Sequence, residues 1–369
     1  MISPLCDLFG IEFPLFAFTR SPQVVVEVSR AGGLGVLGAL AYSDEELEAH
    51  LCWIDEHIDG KPYGVDTVMP AKTLATGHSK QDLEGMIPAA HRAFVDDVLA
   101  KHGIPEIPDG EGSETLLAWT AEKMRPQVEI ALRHPIRLLA NALGPPPPEV
   151  IAQAHAQGVK IAALCGSARH AAKQVEAGVD IIIAQGTEAG GHTGDVATMV
   201  LTPEIAQAVA PTPVLAAGGI GSGRQIAAAL ALGAAGAWTG SMWLTTQEAV
   251  VIPLLKDKLV AASSRDTIRT RALTGKPARL LKTGWIDAWE DKANPDPLPM
   301  PLQYMLTADA VDRLHRFHDT PGAQHLLWSP VGQIVGHMND QPSVAELMHR
   351  LKSDFNATTA KLGGIRVSE

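Results

Sequence analysis

Short apolar runs alternate with alanine-rich, amphipathic stretches along most of this chain. Runs of this kind are typical of strands that are buried on both faces of a parallel sheet. The sequence predicts eight such strands, at Glu12–Phe16, Gly35–Ala39, Tyr63–Val68, Ile136–Ala140, Val159–Leu164, Asp180–Ala184, Pro213–Ala217 and Gly236–Thr239. Helices are predicted between most of them, including Ser21–Ala31, Glu149–Gln157, Ala168–Ala177 and Gly223–Leu232. Eight strand–helix units favour a TIM (β/α)8 barrel, with a doubly wound sheet as the competing architecture.

Two regions do not fit a minimal barrel. Residues 71–126 form a polar, mainly helical insertion between the third and fourth strands, with helices expected at Ser79–Ala100 and Glu114–Met124. This insertion is too long for an ordinary connection. Residues 247–369 are expected to form a helical C-terminal region that packs on the barrel. The barrel domain is then assigned to residues 1–70 and 127–246.

The composition narrows the class of protein. The chain has 369 residues, of which 46% are hydrophobic, and a net charge of −11, which argues against nucleic-acid binding. Cys6, Cys52 and Cys165 are widely spaced and form no CxxC pair, which argues against a disulfide framework or a zinc site. The sequence lacks an apolar run of about 20 residues and a signal-peptide pattern. We therefore expect a cytoplasmic protein with no membrane partner.

One segment carries the strongest signal for chemistry. Glu188-Ala-Gly-Gly-His-Thr-Gly194 follows the sixth predicted strand, and active sites of parallel α/β proteins lie at the carboxyl ends of strands. Because glycines let the backbone approach a ligand, His192 is predicted to project into a cleft and to transfer a proton or hydrogen-bond an oxyanion. Glu188 could orient or repel this imidazole. No second histidine or carboxylate lies beside His192 at metal-ligand spacing, so no metal site is predicted.

Glycine-rich turns supply a second signal. The match to the dinucleotide fingerprint at Gly33-x-Gly35-x-x-Gly38 follows a predicted helix instead of a strand, so a Rossmann interpretation is disfavoured. By contrast, Gly218-Gly-Ile-Gly-Ser-Gly223 follows strand seven and opens a helix, and Gly240-Ser241 follows strand eight. Bare amides and a helix N-terminus make an anion site, and TIM barrels often hold phosphate at these two loops. The sequence therefore favours a phosphate-bearing cofactor.

Four motifs in order resemble the nitronate monooxygenase family, formerly called 2-nitropropane dioxygenase. They are Ala31-Gly-Gly-Leu-Gly35, Gln185-Gly-Thr-Glu-Ala-Gly-Gly-His-Thr-Gly194, Pro213-Val-Leu-Ala-Ala-Gly-Gly-Ile-Gly221 and Ala231-Leu-Gly-Ala-Ala-Gly-Ala-Trp-Thr-Gly-Ser241. The likeness runs from about Gly10 to Thr246 without the insertion. It implies a TIM barrel that holds FMN at the carboxyl ends of its strands.

The resemblance also implies site residues. His192 matches the active-site histidine that faces the substrate over the flavin. Positions that match the family's phosphate contacts are Ala217, Gly218, Gly219, Gly240 and Ser241. Positions that match the lining of the ribityl chain and ring edge are Gln185, Ala189 and Gly190.

Two positions near the expected flavin ring depart from the family pattern. The first loop usually reads Ala-Pro-Met, whereas this chain has Ala17 and Phe18 within Leu15-Phe-Ala-Phe-Thr-Arg20. Asp66 stands where many members have asparagine. An ionised Asp66 would disfavour an anionic reduced flavin, so we expect altered redox behaviour unless this carboxyl is protonated.

These observations predict an FMN-dependent oxidoreductase that oxidises an alkyl nitronate, or a similar small anionic carbon acid, with O2. One alternative is an NAD(P)H-dependent reductase of a quinone or an enoyl thioester on the same barrel. A second alternative is a non-catalytic FMN-binding protein, and the least favoured one is a flavin-free barrel for a phosphorylated metabolite. The C-terminal region could pack on the barrel or on a second copy in a homodimer.

Overall fold

Eight parallel strands close into a barrel, as the sequence predicts. The computed structural model describes residues 3–69, 79–108 and 121–365. Each barrel strand pairs with the next along the chain, and the last pairs with the first, with Phe16 opposite Trp238. The barrel strands are β1 Leu15–Thr19, β2 Leu34–Gly38, β3 Tyr63–Thr67, β4 Leu138–Asn141, β5 Lys160–Cys165, β6 Ile181–Gln185, β8 Val214–Ala217 and β9 Gly236–Thr239. The short strand β7, Gly191–His192, lies outside the barrel.

The first strand lies further along the chain than predicted. It begins at Leu15 because Pro14 has no N–H group to donate to a neighbouring strand, and the amides of Glu12 and Phe13 bond to the Gly32 carbonyl instead. Ala17 and Phe18, expected in a loop, are therefore part of β1.

Helices cover the outside of the barrel and one of its ends. The outer helices are α2 Pro22–Arg30, α3 Asp44–His57, α7 Pro148–Ala156, α8 Ala168–Glu176, α9 Thr198–Val209 and α10 Gly223–Ala231. Helix α3 begins with a capping box in which Ser43 and Glu46 satisfy each other's backbone amides. Helix α1, Pro4–Phe9, buries Leu5 and Phe9 in the same apolar cluster as the barrel interior.

Side chains alternate between the inside and the outside of the barrel. In β4, Leu138 and Ala140 belong to the interior cluster, whereas Leu139 packs with the outer helices. The same alternation in β3 places Val65 outside and Asp66 inside. A carboxyl group therefore lies within an interior that is otherwise lined by apolar side chains of the neighbouring strands.

The insertion contains the helices α4 Lys80–Gly85, α5 Ala89–Lys101 and α6 Ala121–Ala131. The prediction of a single helix over Ser79–Ala100 is wrong in one respect, because the segment forms two helices that are separated before Pro88. A residue that precedes proline is disfavoured in helical conformation, and Pro88 caps α5 instead. The helix expected at Glu114–Met124 lies mostly outside the described residues.

The C-terminal region is mainly helical and also contains two strands that the sequence analysis did not predict. Its helices are α11 Pro253–Ala261, α12 Gly284–Glu290, α13 Leu302–Arg316, α14 Pro321–Leu326 and α15 Val344–Gly363. The strands β10 Thr267–Thr270 and β11 Ala278–Leu281 form an antiparallel sheet with β7. Helix α15 packs so closely on α10 that a Cβ atom at Gly223 would lie 2.1 Å from the Leu351 carbonyl oxygen.

The insertion and the C-terminal region share an apolar core. Val95 and Leu99 of α5 pack in one cluster with Leu306 and Leu314 of α13. Arg313 also donates to the carbonyl of Ile104 at 2.8 Å. Across the described ranges, no helix combines the length and the apolar character that crossing a membrane requires.

Candidate active site

His192 lies where the sequence places it, just beyond the carboxyl end of β6. It forms β7 with Gly191 and stands opposite Ala278 of β11. Its Nε2 lies 2.7 Å from Oγ1 of Thr274, a buried residue of the loop between β10 and β11. The imidazole is thus held between the barrel and the C-terminal region. Sequence reasoning missed Thr274, because no local motif links it to His192.

The environment of His192 keeps the imidazole neutral. Burial, and to a smaller extent the positive charge of Lys276, lowers the pKa of His192 from 6.5 to about 4. At pH 7 the ring is therefore a hydrogen-bonding group without charge. The nearby ammonium of Lys276, which is exposed, favours an anion in this part of the site.

Glu188 has a structural role at the start of α9 and does not orient the imidazole through any hydrogen bond between described residues. Its carboxylate accepts hydrogen bonds from the backbone N–H and the hydroxyl of Thr198, both at 2.9 Å. A carboxylate at this position accepts a hydrogen bond from an amide that has no partner within the helix. It also interacts favourably with the positive end of the helix dipole.

The loop that carries His192 packs directly on the glycine turn after β8. Gly218 and Gly219 have φ values of +96° and +69°, which other residues rarely adopt. A Cβ atom at Gly218 would lie 3.0 Å from the Ala189 amide nitrogen, and one at Gly219 would lie 3.3 Å from Cβ of Glu188. The expected phosphate turn and the histidine loop therefore form one continuous surface.

Backbone amides are available at the ends of the adjacent strands β8 and β9. Within the described part of the chain, no hydrogen bond engages the amides of Gly218, Gly219, Gly240 or Ser241. The Ser241 hydroxyl oxygen accepts a 2.8 Å hydrogen bond from the Gly332 amide, which fixes the side chain. Backbone amides without a partner at glycine turns are suited to a phosphate group.

The N-terminus of α10 contributes less to this cradle than expected. Asp354 of α15 accepts a 2.8 Å hydrogen bond from the Arg224 amide and pairs with the Arg224 guanidinium at 2.7 Å. A carboxylate of the protein therefore already caps the first turn of the helix. Anion binding at this place would depend on the amides of the glycine turns.

The positions expected near a flavin ring comprise a stacked aromatic pair, an alanine that points out of the barrel, and the last residues of two neighbouring strands. Phe18 and Trp238 lie against the barrel interior, stacked with their ring centroids 6.4 Å apart. Ala17 is fully buried among outward-facing residues, so only its backbone can face the barrel mouth. Gln185 and Ala217 end β6 and β8 at paired positions.

Gly190 is required by its contact with the C-terminal region. A Cβ atom there would lie 2.8 Å from the Gly332 amide nitrogen and from backbone atoms of Val331. Gln333, which follows Gly332 in the chain, donates a 2.9 Å hydrogen bond from its amide to the Glu188 carbonyl. Residues 331–333 thus support both the histidine loop and Ser241, which the sequence analysis did not predict.

Asp66 is the most unusual charged group of the barrel interior. It is 7% exposed, its Oδ1 has no hydrogen-bond partner, and burial raises its pKa to about 7. A buried carboxyl without a partner is costly unless it is neutral or meets a ligand. An orphaned acid and an amide cradle at the same end of the barrel fit a ligand with both a phosphate and a polar ring edge.

Fold and site together define a TIM-barrel protein in which glycine-turn amides without hydrogen-bond partners among the described residues lie beside a neutral histidine at the carboxyl ends of the strands. The family model for nitronate monooxygenase matches residues 3–354. The chain therefore belongs to the nitronate monooxygenase family, and it is an oxidoreductase.

Three individual proteins are similar over nearly their whole length. The Mycobacterium tuberculosis protein named "Putative monooxygenase Rv1533" is 50% identical, and the match covers 99% of each chain. A Rhodococcus jostii protein named (3aS,4S,5R,7aS)-5-hydroxy-7a-methyl-1-oxo-octahydro-1H-indene-4-carboxyl-CoA dehydrogenase is 28% identical, with 98% of each chain covered. The structure of nitroalkane oxidase from Streptomyces ansochromogenes matches with a TM-score of 0.79 and 26% identity, covering 97% of this chain and 99% of that one.

Proposed function

We propose that the protein is an FMN-dependent oxidoreductase that oxidises an alkyl nitronate, or a similar small anionic carbon acid, with O2. The observation that carries this proposal is the packing of the His192 loop on the glycine turn after β8. This contact joins a phosphate cradle to a neutral imidazole next to a cation. Family membership and the likeness to a nitroalkane oxidase support the same reaction class.

FMN fits the residues that are present. The amides of Gly218, Gly219, Gly240 and Ser241 would hold its phosphate, and the region around Phe18 and Asp66 would adjoin its ring. Gln185, Ala189, Gly190 and Ala217 would line the path between them. When bound, FMN would accept electrons from the substrate and pass them to O2.

His192 would hold an anionic oxygen of the substrate by a hydrogen bond. A group with a pKa of about 4 is a weak base, so it is poorly suited to remove a proton from carbon at neutral pH. As a neutral hydrogen-bond donor it stabilises negative charge, and Lys276 adds attraction for an anion. The site therefore favours a substrate that arrives already ionised, which a nitronate does.

The test is an absorbance spectrum of the purified protein, recorded anaerobically after separate additions of propionate nitronate, NADH and NADPH. We expect flavin bands that bleach with the nitronate and return with O2. His192→Asn should keep the bands and slow bleaching by about 10²-fold or more. His170→Asn, at an exposed position on α8, should behave as the wild type. Absence of flavin bands after reconstitution with FMN would contradict the proposal.

One observation favours a second candidate, an NAD(P)H-dependent reductase of a quinone or an enoyl thioester. The relative from Rhodococcus jostii is named as a dehydrogenase of a CoA thioester and matches over 98% of both chains. This candidate predicts rapid bleaching by NADH or NADPH. Bleaching by a pyridine nucleotide and not by nitronate would decide in its favour.

A further inference from the structure

A cluster of metal-binding side chains lies at the amino-terminal end of the barrel, opposite to the candidate active site. Glu48 and Cys52 are one helical turn apart on α3, and His134 lies in the turn between α6 and β4. Their ligand atoms all lie within 4.8 Å of one another. Asp55 and His134 also line a cleft at this end of the barrel, which gives the cluster access to solvent.

His134 is oriented by a chain of hydrogen bonds. Its Nδ1 lies 2.6 Å from Oδ2 of Asp55, and the other oxygen of Asp55 accepts a 2.6 Å hydrogen bond from the Tyr63 hydroxyl. An imidazole that donates from Nδ1 to this carboxylate has Nε2 as its available metal ligand. A carboxylate behind a histidine is the usual support of a metal-binding imidazole.

The free end of this imidazole is buried and has no hydrogen-bond partner. The His134 side chain is 7% exposed, and its Nε2 lies 3.6 Å from Oε1 of Glu48, beyond hydrogen-bond distance. A buried polar nitrogen without a hydrogen-bond partner is unfavourable and calls for an explanation. A cation between the nitrogen and the carboxylate supplies one.

We propose that Glu48, Cys52 and His134 form a zinc site with a fourth, open position. Cysteine sulfur, histidine nitrogen and glutamate oxygen are each ligands of Zn²⁺ in proteins, and catalytic zinc sites have three protein ligands with an open fourth position. Bonds of about 2.0–2.3 Å in a tetrahedron place donor atoms roughly 3.3–3.7 Å apart. The separation of 3.6 Å between His134 and Glu48 agrees with this geometry, and Cys52, which is exposed, is able to rotate into place.

Charges around the cluster also suit a divalent cation. Arg133 donates to Oε2 of Glu48 and leaves Oε1 towards the cluster. Metal binding would release the Cys52 proton to solvent, so the ion would be surrounded by the Cys52 thiolate and by the carboxylates of Glu48 and Asp55. A divalent ion neutralises this excess of negative charge.

The test is titration of the chelator-treated holoprotein with Co²⁺, followed by difference spectroscopy so that bound cofactor cancels. We expect a thiolate-to-cobalt charge-transfer band and the visible bands of a tetrahedral ion, both abolished when Zn²⁺ is added. Cys52→Ser should remove the charge-transfer band, whereas Cys165→Ser, at a buried cysteine in β5, should keep it. Asp55→Asn should weaken Co²⁺ binding by about 10–100-fold without removing any ligand.

Two results would overturn the proposal. One is a wild-type protein that shows no cobalt bands at micromolar to millimolar Co²⁺. The other is a charge-transfer band that survives Cys52→Ser and Glu48→Gln, which would place the metal elsewhere. Because Glu48 and Cys52 are at the surface, both variants are expected to fold.

Discussion

At the scale of single residues, burial decides which groups are charged. His192 and Asp66 are both shifted towards their neutral forms, the imidazole by a lowered pKa and the carboxyl by a raised one. Both residues were identified from the sequence, but their protonation states could not be predicted from it. The sequence left open whether an aspartate at this position would repel a reduced flavin, and a pKa of about 7 means that a large fraction of Asp66 is neutral at physiological pH.

Asp66 should make the stability of the flavin-free protein depend on pH. Its pKa rises from 3.8 to about 7 on folding, so the native state keeps a proton that the unfolded chain loses. Stability is therefore expected to fall as pH rises from about 4 to 7, and to level off above that range. Asp66→Asn cannot ionise, so its stability relative to wild type should increase over the same interval, by on the order of 2–4 kcal/mol.

Urea unfolding at pH 4, 6 and 8 measures this difference. Asp287→Asn, at an exposed aspartate on α12, is the control and should follow the wild type. A constant difference between Asp66→Asn and wild type at all three values would show that Asp66 keeps its charge in the folded protein.

At the scale of elements, the sequence predicted the barrel well and its supports poorly. All eight barrel strands overlap their predicted ranges, because each is an apolar run whose pattern is local. β7, β10 and β11 were not predicted, since β7 has only two residues and its pairing with β11 joins distant parts of the chain. For the same reason Thr274, residues 331–333 and the partners of His134 could be found only from the structure.

Gly190 tests the importance of the contact between the histidine loop and the C-terminal region. In Gly190→Ala the new methyl group would meet backbone atoms of Val331 and Gly332 at 2.8 Å, which cannot move as a side chain would. We expect a loss of roughly 1–3 kcal/mol in stability. Displacement of the loop should also weaken flavin binding by about tenfold.

Gly194→Ala is the matched control in the same segment. A Cβ atom there would meet its nearest neighbour at 3.8 Å, an ordinary contact. Flavin fluorescence titration and thermal unfolding of both variants give the comparison. Equal behaviour of Gly190→Ala and Gly194→Ala would mean that residues 331–333 do not support the site.

At the scale of the whole molecule, the C-terminal region packs on the barrel and also contributes residues to the candidate active site. The β10–β11 sheet supplies Thr274 and Lys276 to His192, and α15 caps α10 through Asp354. The candidate active site is thus assembled from segments at both ends of the chain. Because Asp354 already accepts from the first turn of α10, two explanations of phosphate binding can be distinguished. In one, the glycine-turn amides hold the phosphate; in the other, the N-terminus of α10 holds it.

Asp354→Ala distinguishes these explanations. Loss of the carboxylate that accepts from the Arg224 amide should cost about 1 kcal/mol of stability, an amount similar to the loss of a side-chain cap at a helix N-terminus. If the amides of Gly218, Gly219, Gly240 and Ser241 hold the phosphate, flavin affinity should change by less than about twofold. If the helix end holds it, removal of a competing carboxylate should tighten binding several-fold. Lys352→Ala, which removes only an exposed ion pair of α15 with Glu12, controls for general effects on this helix, because it leaves the cap intact.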